Sequence, residues 1–135
     1  MLTRPGVLLR VEGLFVLAAA LMVYATLLHG RWWIFVVFFL APDLSLLGYA
    51  LKDRAGLAAA LYNSAHTYVL PLLLALAAWT AGWHPGELGA VIWAAHIAFD
   101  RVLGFGLKYP QRFKETHLQV VDAGMPLASV PTLAR

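Results

Sequence analysis

The chain has no cysteine. That absence excludes disulfides, thiolate metal sites and cysteine nucleophiles. Charge is the next shortage. Only 13% of the 135 residues are Asp, Glu, Lys or Arg, against about 25% in an average soluble domain. A surface this poor in ionic groups is not built to face water. There is no basic cluster either. The net charge is +3, but the Lys and Arg residues are scattered around apolar segments, so nucleic acid is not an expected partner. Internal repeats and low-complexity runs are also lacking.

What is present is hydrocarbon: 61% of the residues are hydrophobic and the mean hydropathy is +0.74. Four long apolar stretches can be read, over residues 13–30, 32–51, 55–83 and 88–107. A membrane-crossing helix needs roughly 17–25 residues, so four crossings take up nearly everything before the tail. Arg4 and Arg10 precede the first stretch, Lys52 and Arg54 lie between the second and third, and Lys108, Arg112 and Lys114 follow the fourth. The other two connections hold Arg31 alone. Such asymmetry predicts that both termini are cytoplasmic in a multi-pass inner-membrane protein. The basic start and Ala18-Ala19-Ala20 have the outline of a signal peptide, but the apolar run continues through Leu28, so a spanning helix is expected. The expected architecture is all-α: a four-helix transmembrane domain over residues 1–120 and a flexible tail over 121–135.

The first helix starts near Pro5 and ends at His29-Gly30. Glu12 lies one to two turns inside it, either as an interfacial carboxylate beside Arg10 or Arg101 or as part of a buried polar site. Trp32-Trp33 open the second helix as an interfacial belt. Pro42 halfway along removes a backbone donor and predicts a break there. Irregular backbone at membrane depth survives only inside protein or beside a water-filled cavity, which marks Asp43. The third helix is read as continuous from Ala55 to Thr80, with Ala59, Asn63, His66 and Leu70 along one face. Pro85 and Gly86 break the chain before the fourth helix, which has two faces. Gly86, Ala90, Ala94 and Ala98 make a small-residue ladder, and His96, Asp100 and Gly104 lie roughly opposite. Beyond Pro110, the spacing of Phe113, His117 and Val120/Val121 predicts an amphipathic helix over 111–122 on the cytoplasmic interface.

Depth links these residues. At about 1.5 Å rise per residue, Asp43, His66 and His96 each lie about 9–11 residues from a helix end, near the middle of a ~30 Å hydrocarbon layer. Asp100 follows His96 by four residues, so both project from one face, one turn apart. A charged group at that depth costs roughly 2.5–3.5 kcal/mol or more alone. Asp43, His66, His96 and Asp100 are therefore expected to form one cluster. Two His and two Asp suit Zn²⁺ or another divalent ion, and Arg101 could orient an anionic headgroup. That arrangement yields a hydrolase acting on a lipid or lipid-linked substrate. The same residues also fit a proton or ion pathway, a bis-histidine haem through His66 and His96, or a structural knot in a subunit of a membrane complex. Expected partners are the bilayer, a lipid substrate, and a second copy or larger complex.

Arg10-Val-Glu-Gly13, Ala41-Pro-Asp-Leu-Ser-Leu-Leu-Gly-Tyr49, Tyr62-Asn-Ser-Ala-His66, His96-Ile-Ala-Phe-Asp-Arg101, Gly104-Phe-Gly-Leu-Lys-Tyr109 and Phe113-Lys-Glu-Thr-His-Leu118 resemble a family of small bacterial four-helix membrane proteins, domain of unknown function 4260. The resemblance covers residues 8–120 and implies that Lys114 and His117 belong with the site. More remotely, Pro-Asp, then His, then His-x-x-x-Asp is similar to membrane-bound metal-dependent hydrolases. Those proteins carry a second acidic residue where Ser45 stands, and a different setting around the middle His than Ala65-His66-Thr67.

Overall fold

Pro5 has no N–H to lose in a first helical turn, and helix α1 (Pro5–Met22) begins on it. A π-helical turn, Val23–Leu27, continues it. Together they make 23 residues, with a mean hydropathy of 2.1 over an 18-residue window, long and apolar enough to cross a membrane. The computed structural model describes residues 5–50, 55–109, 112–116 and 118. The chain turns back at His29, which takes a left-handed φ of 47°, and at Gly30, where any Cβ would collide with the Tyr24 ring. The Tyr24 hydroxyl donates to the Arg31 carbonyl at 2.8 Å and closes the turn.

Helix α2 (Trp32–Phe39) lasts only two turns before the chain tightens into a 3₁₀ segment, Ala41–Ala50. The predicted break is therefore present, and it begins at the residue before Pro42. The third helix departs from expectation. It is split into α3 (Ala55–Ala65) and α4 (Val69–Thr80), bent by 47° between them. Pro71 offers no N–H to the carbonyl four residues back, and its ring crowds the preceding turn. The carbonyls exposed at the break find side-chain donors instead. Thr67 Oγ1 donates to Ser64 O at 3.2 Å, Trp93 Nε1 to Ala65 O at 2.6 Å and Arg101 to His66 O at 3.1 Å. The break also removes Leu70 from the expected stripe: Ala59 and His66 are buried, but Leu70 is exposed.

Helix α5 (His84–Leu103) has Pro85 in its first turn and ends on Gly104, whose φ of 87° is left-handed, as a helix C-terminus often requires. It runs antiparallel to α1. Near one end Gly13 meets Ala98 and the Arg101 stem, and the Arg10 guanidinium lies over Gly104. Towards the other, Ala20, Tyr24, Phe35, Ile92 and Ala95 share a core. Ala90 and Ala98 of the small-residue ladder are buried, consistent with close helix packing. Glu12 is exposed, so it is no part of a buried site.

Past α5 the expected amphipathic helix is corrected. β1 (Lys108–Tyr109) and β2 (Arg112–Thr116) pair antiparallel as a short hairpin. The cause is tertiary. The Asn63 side-chain amide accepts from Lys108 N at 2.7 Å and donates to Lys108 O at 3.0 Å, which holds that residue extended. Arg4, Lys52, Arg54, His117, Val120, Val121 and the 121–135 tail lie outside the described residues.

The fold is thus five α-helices and a small hairpin among the described residues. α1 with its π turn passes as a span alone, and α3 with α4 passes only as a bent pair. Much of the outer surface is hydrocarbon: Phe15, Val36, Leu72 and Trp79 are each at least 70% exposed.

Candidate metal centre

Three chain segments supply the four polar residues that the sequence groups into one cluster. Asp43 stands on the first turn of the 3₁₀ segment, where Pro42 has broken the helix. His66 sits at the α3–α4 break. His96 and Asp100 come from successive turns of α5. The structure brings all four together, with one donor atom from each lying within 4.8 Å of every other. His66 Nε2 is 3.3 Å from His96 Nε2, 3.3 Å from an Asp43 oxygen and 3.6 Å from an Asp100 oxygen. His96 Nε2 lies 3.5 Å from the same Asp43 oxygen and 3.7 Å from that of Asp100.

These spacings allow a direct test of fit. A tetrahedral ion with bonds of about 2.0–2.2 Å holds its ligand atoms roughly 3.3–3.6 Å apart. The five edges that involve a histidine run from 3.3 to 3.7 Å, and the carboxylate–carboxylate edge is no longer than 4.8 Å. The N₂O₂ donor set also suits zinc or a neighbouring divalent metal. The residues fit the ion.

The surroundings orient the donors. His66 Nδ1 lies 2.9 Å from the Tyr62 carbonyl, which can only accept, so Nδ1 carries the hydrogen. In the neutral ring Nε2 then keeps its lone pair, aimed at the cluster, and a carbonyl behind a ligating histidine is the usual arrangement. Tyr62 also stacks on the His66 ring, with centroids 3.8 Å apart and planes 16° from parallel. The His96 ring is wedged edge-on against Phe39 and His66. Its Nδ1 is buried without a hydrogen-bond partner, the one such side-chain atom among the described residues. Both histidines are 2% exposed at the side chain, Asp100 is 16% and Asp43 is 37%. Asp43 is thus the ligand candidate most open to solvent or substrate.

Arg101 is close, but two of its nitrogens are engaged: one donates to Phe105 O at 3.3 Å, another to His66 O at 3.1 Å. Lys108 is the cation that sequence reasoning overlooked. Its ammonium lies 4.7 Å from the centre of the Tyr62 ring. Burial pulls it below the usual lysine range, while the Asp43 and Asp100 carboxylates pull it back up. Its signal was weak, as simply the first lysine after the Gly104 cap. Tyr62 and Asn63 are likewise placed by the fold, each one turn from His66. The side chains of Lys114 and His117, implied by the resemblance, lie outside the described residues.

Fold and site together define a helical, largely apolar protein with a buried two-histidine, two-aspartate cluster able to hold a metal ion. The chain belongs to the family described as Domain of unknown function (DUF4260), whose profile matches residues 6–121. No curated protein and no solved structure matches it.

Proposed function

We infer that this protein is a multi-pass membrane protein whose Asp43, His66, His96 and Asp100 hold one divalent cation, with zinc the best fit, and that it hydrolyses a lipid or lipid-linked substrate. The observation that carries the reading is the near-tetrahedral convergence of four donor atoms from three segments. Four converging donors with no bound cation would leave two carboxylates to be offset from outside the cluster, by Lys108 and Arg101, or by imidazole protons. A divalent ion balances their charge. It also supplies an activated water or a polarised carbonyl or phosphoryl oxygen. Within that site, His66 is oriented by Tyr62 and His96 by Phe39. Asp43 is the donor that yields a coordination position, because it is the most exposed. Arg101 holds the His66 main chain, and Lys108 presents positive charge to a headgroup.

Membrane residence is supported by α1, by the bent α3–α4 pair and by the exposed apolar faces of α1, α2 and α4. Exposed apolar area on this scale calls for lipid or a partner. Trp32, Trp33, Trp79 and Trp83 sit at helix ends joined by the turns at 28–31 and 81–83, all more than half exposed, as an interfacial belt would be. With those turns outside, both termini are cytoplasmic. Haem is disfavoured, because a 3.3 Å gap between the two Nε2 atoms, shared with carboxylates, has no room for a porphyrin plane.

A second reading draws on the same geometry. Four protein donors close a tetrahedral shell, and closed shells are structural. The ion would then staple α5 to the two broken segments within a subunit of a larger assembly. Metal analysis of detergent-purified protein tests the shared core, which predicts one zinc per chain, lost in His96→Ala. Hydrolysis of labelled membrane lipids by the zinc-loaded protein, abolished in Asp100→Asn, separates the enzyme from the staple. Protein purified with no stoichiometric metal, and unable to take any up, would sink both.

A further inference from the structure

Beside the cluster is a cavity of about 370 Å³ whose walls include Phe38, Pro42, Ala65, Leu74, Gly89 and Trp93. Its place along the chain gives it direction. Pro42 immediately precedes Asp43, Ala65 immediately precedes His66, and Trp93 and Gly89 lie one and two turns before His96. The cavity therefore flanks the cluster at Pro42, Ser45 and Ala65 and extends past Gly89 and Leu74 towards the tryptophan-bearing helix ends. Asn63, Arg101 and Lys108 stand on the opposite side of the cluster along their segments. An apolar slot, a polar centre and a cation follow one another in that order, which is the layout of an amphiphile.

The slot offers a ligand no free donor. The Ser45 hydroxyl on its wall donates to Pro42 O at 2.7 Å, and Trp93 Nε1 donates to Ala65 O at 2.6 Å. What remains is methyl, methylene and ring surface. Gly89 adds an independent sign. A glycine inside a helix is disfavoured relative to alanine, yet a Cβ built on Gly89 meets nothing within 4 Å. No neighbour requires glycine there, so its effect is to leave the volume open. An apolar void of about 150 Å³ already takes up benzene, and small-molecule sites begin at about 300 Å³.

We propose that this cavity takes the hydrocarbon chain of a lipid whose anionic headgroup lies at the cluster beside Lys108. The proposal rests on the metal reading for its headgroup half only. Two carboxylates offset by Lys108 and Arg101 leave the centre at net zero, which gives an anion no net attraction. A divalent ion brings it to +2, which attracts one. Tail binding is thus independent of metal, whereas headgroup binding is not.

The test uses full-length protein in detergent with Trp93 as its only tryptophan, Trp32, Trp33, Trp79 and Trp83 being replaced by Phe. Two palmitoyl-length probes brominated in mid-chain are titrated, one with a neutral headgroup and one with a phosphate headgroup. The neutral probe is expected to quench Trp93 saturably in metal-stripped protein, with affinity at least tenfold weaker in Gly89→Leu. The phosphate probe is expected to gain at least tenfold in affinity on zinc loading, a gain reduced by Lys108→Gln. Zinc uptake itself is expected to be unchanged in Gly89→Leu. Quenching that is linear in probe, or that survives Gly89→Leu, overturns the tail site. Normal zinc uptake with no gain for the phosphate probe overturns the headgroup half. Absence of zinc uptake overturns the metal reading and the headgroup half together, with the neutral probe still deciding the tail site.

Discussion

Removing His96 should separate metal binding from everything else this bundle does. Its Nε2 is 3.3 Å from His66 Nε2 and 3.5 Å from Asp43, so it supplies one corner of the tetrahedron. Structural zinc sites with four protein ligands are worth about 10–16 kcal/mol in apparent binding free energy. Divided over four donors, one corner is worth about 2.5–4 kcal/mol, roughly a hundred- to thousandfold in affinity. Nitrogen and oxygen donors place this site at the lower figure. His96→Ala should therefore weaken zinc about a hundredfold, measured by competition against a chromophoric chelator on stripped, detergent-solubilised protein. Asp43→Asn is the internal control. Its side chain is 37% exposed, so water can take over its position, and the loss should be nearer tenfold. Cobalt substitution gives a second readout, because a tetrahedral d–d band should survive in Asp43→Asn and vanish in His96→Ala. Equal affinities for wild type and His96→Ala, with the helical circular dichroism of both intact, would falsify the centre.

Other outcomes follow from single contacts. Asn63→Ala removes both hydrogen bonds to the Lys108 main chain, a loss of about 1–3 kcal/mol, and should speed amide exchange at Lys108 with the helices unchanged. Gly13→Leu places a Cβ 2.8 Å from Arg101 Cβ and 3.1 Å from Ala98 O. It should force α1 off α5 at a cost of about 1–3 kcal/mol, seen as a lower unfolding temperature in detergent; an unchanged one would refute the close packing. Because burial lowers the Lys108 amine, more of it is neutral at a given alkaline pH than for a free lysine. The pH midpoint of its acetylation should thus lie below that of a lysine peptide, and zinc loading, by adding positive charge nearby, should lower it further.

Some of this was legible in the sequence and some was not, for physical reasons that differ residue by residue. Asp43, His66, His96 and Asp100 could be grouped by counting residues from helix ends, because lipid penalises unpaired ionisable groups and so leaves few places for them. The break at Pro42 was legible because proline acts on its own turn. Pro71 was equally visible, but the break it helps cause falls at 66–68, where Trp93 and Arg101 cap the freed carbonyls. Those donors arrive from a helix distant in sequence, and no local pattern announces them. The hairpin was missed for the same reason. Phe113, His117 and Val120 do recur at helical spacing, yet Asn63, 45 residues away, fixes Lys108 as extended chain. The number of crossings also read too simply: hydropathy counts apolar residues, and the α3–α4 bend and the 3₁₀ segment shorten what each can span alone.

The two breaks and the cluster have a common cause. A regular helix turns every carbonyl back on itself and leaves a short side chain such as Asp43 lying along the helix surface. Pro42 ends α2 early, and the tighter 3₁₀ turn that follows swings Asp43 to within 3.3 Å of His66. Pro71 helps end α3, and the loosened carbonyls recruit Trp93 and Arg101, which draw α5 against the break and set His96 and Asp100 beside His66. Each proline thus sacrifices a backbone hydrogen bond, a loss worth several kcal/mol if left uncompensated in lipid. At the α3–α4 break the compensation comes from Trp93 and Arg101, on the same helix that carries His96 and Asp100. Replacing Pro71 by Ala tests this coupling: a straighter α3–α4 should weaken the Trp93 and Arg101 caps and lower zinc affinity, although residue 71 supplies no ligand atom. Zinc affinity unchanged beside a demonstrably straightened helix would show that break and centre are independent.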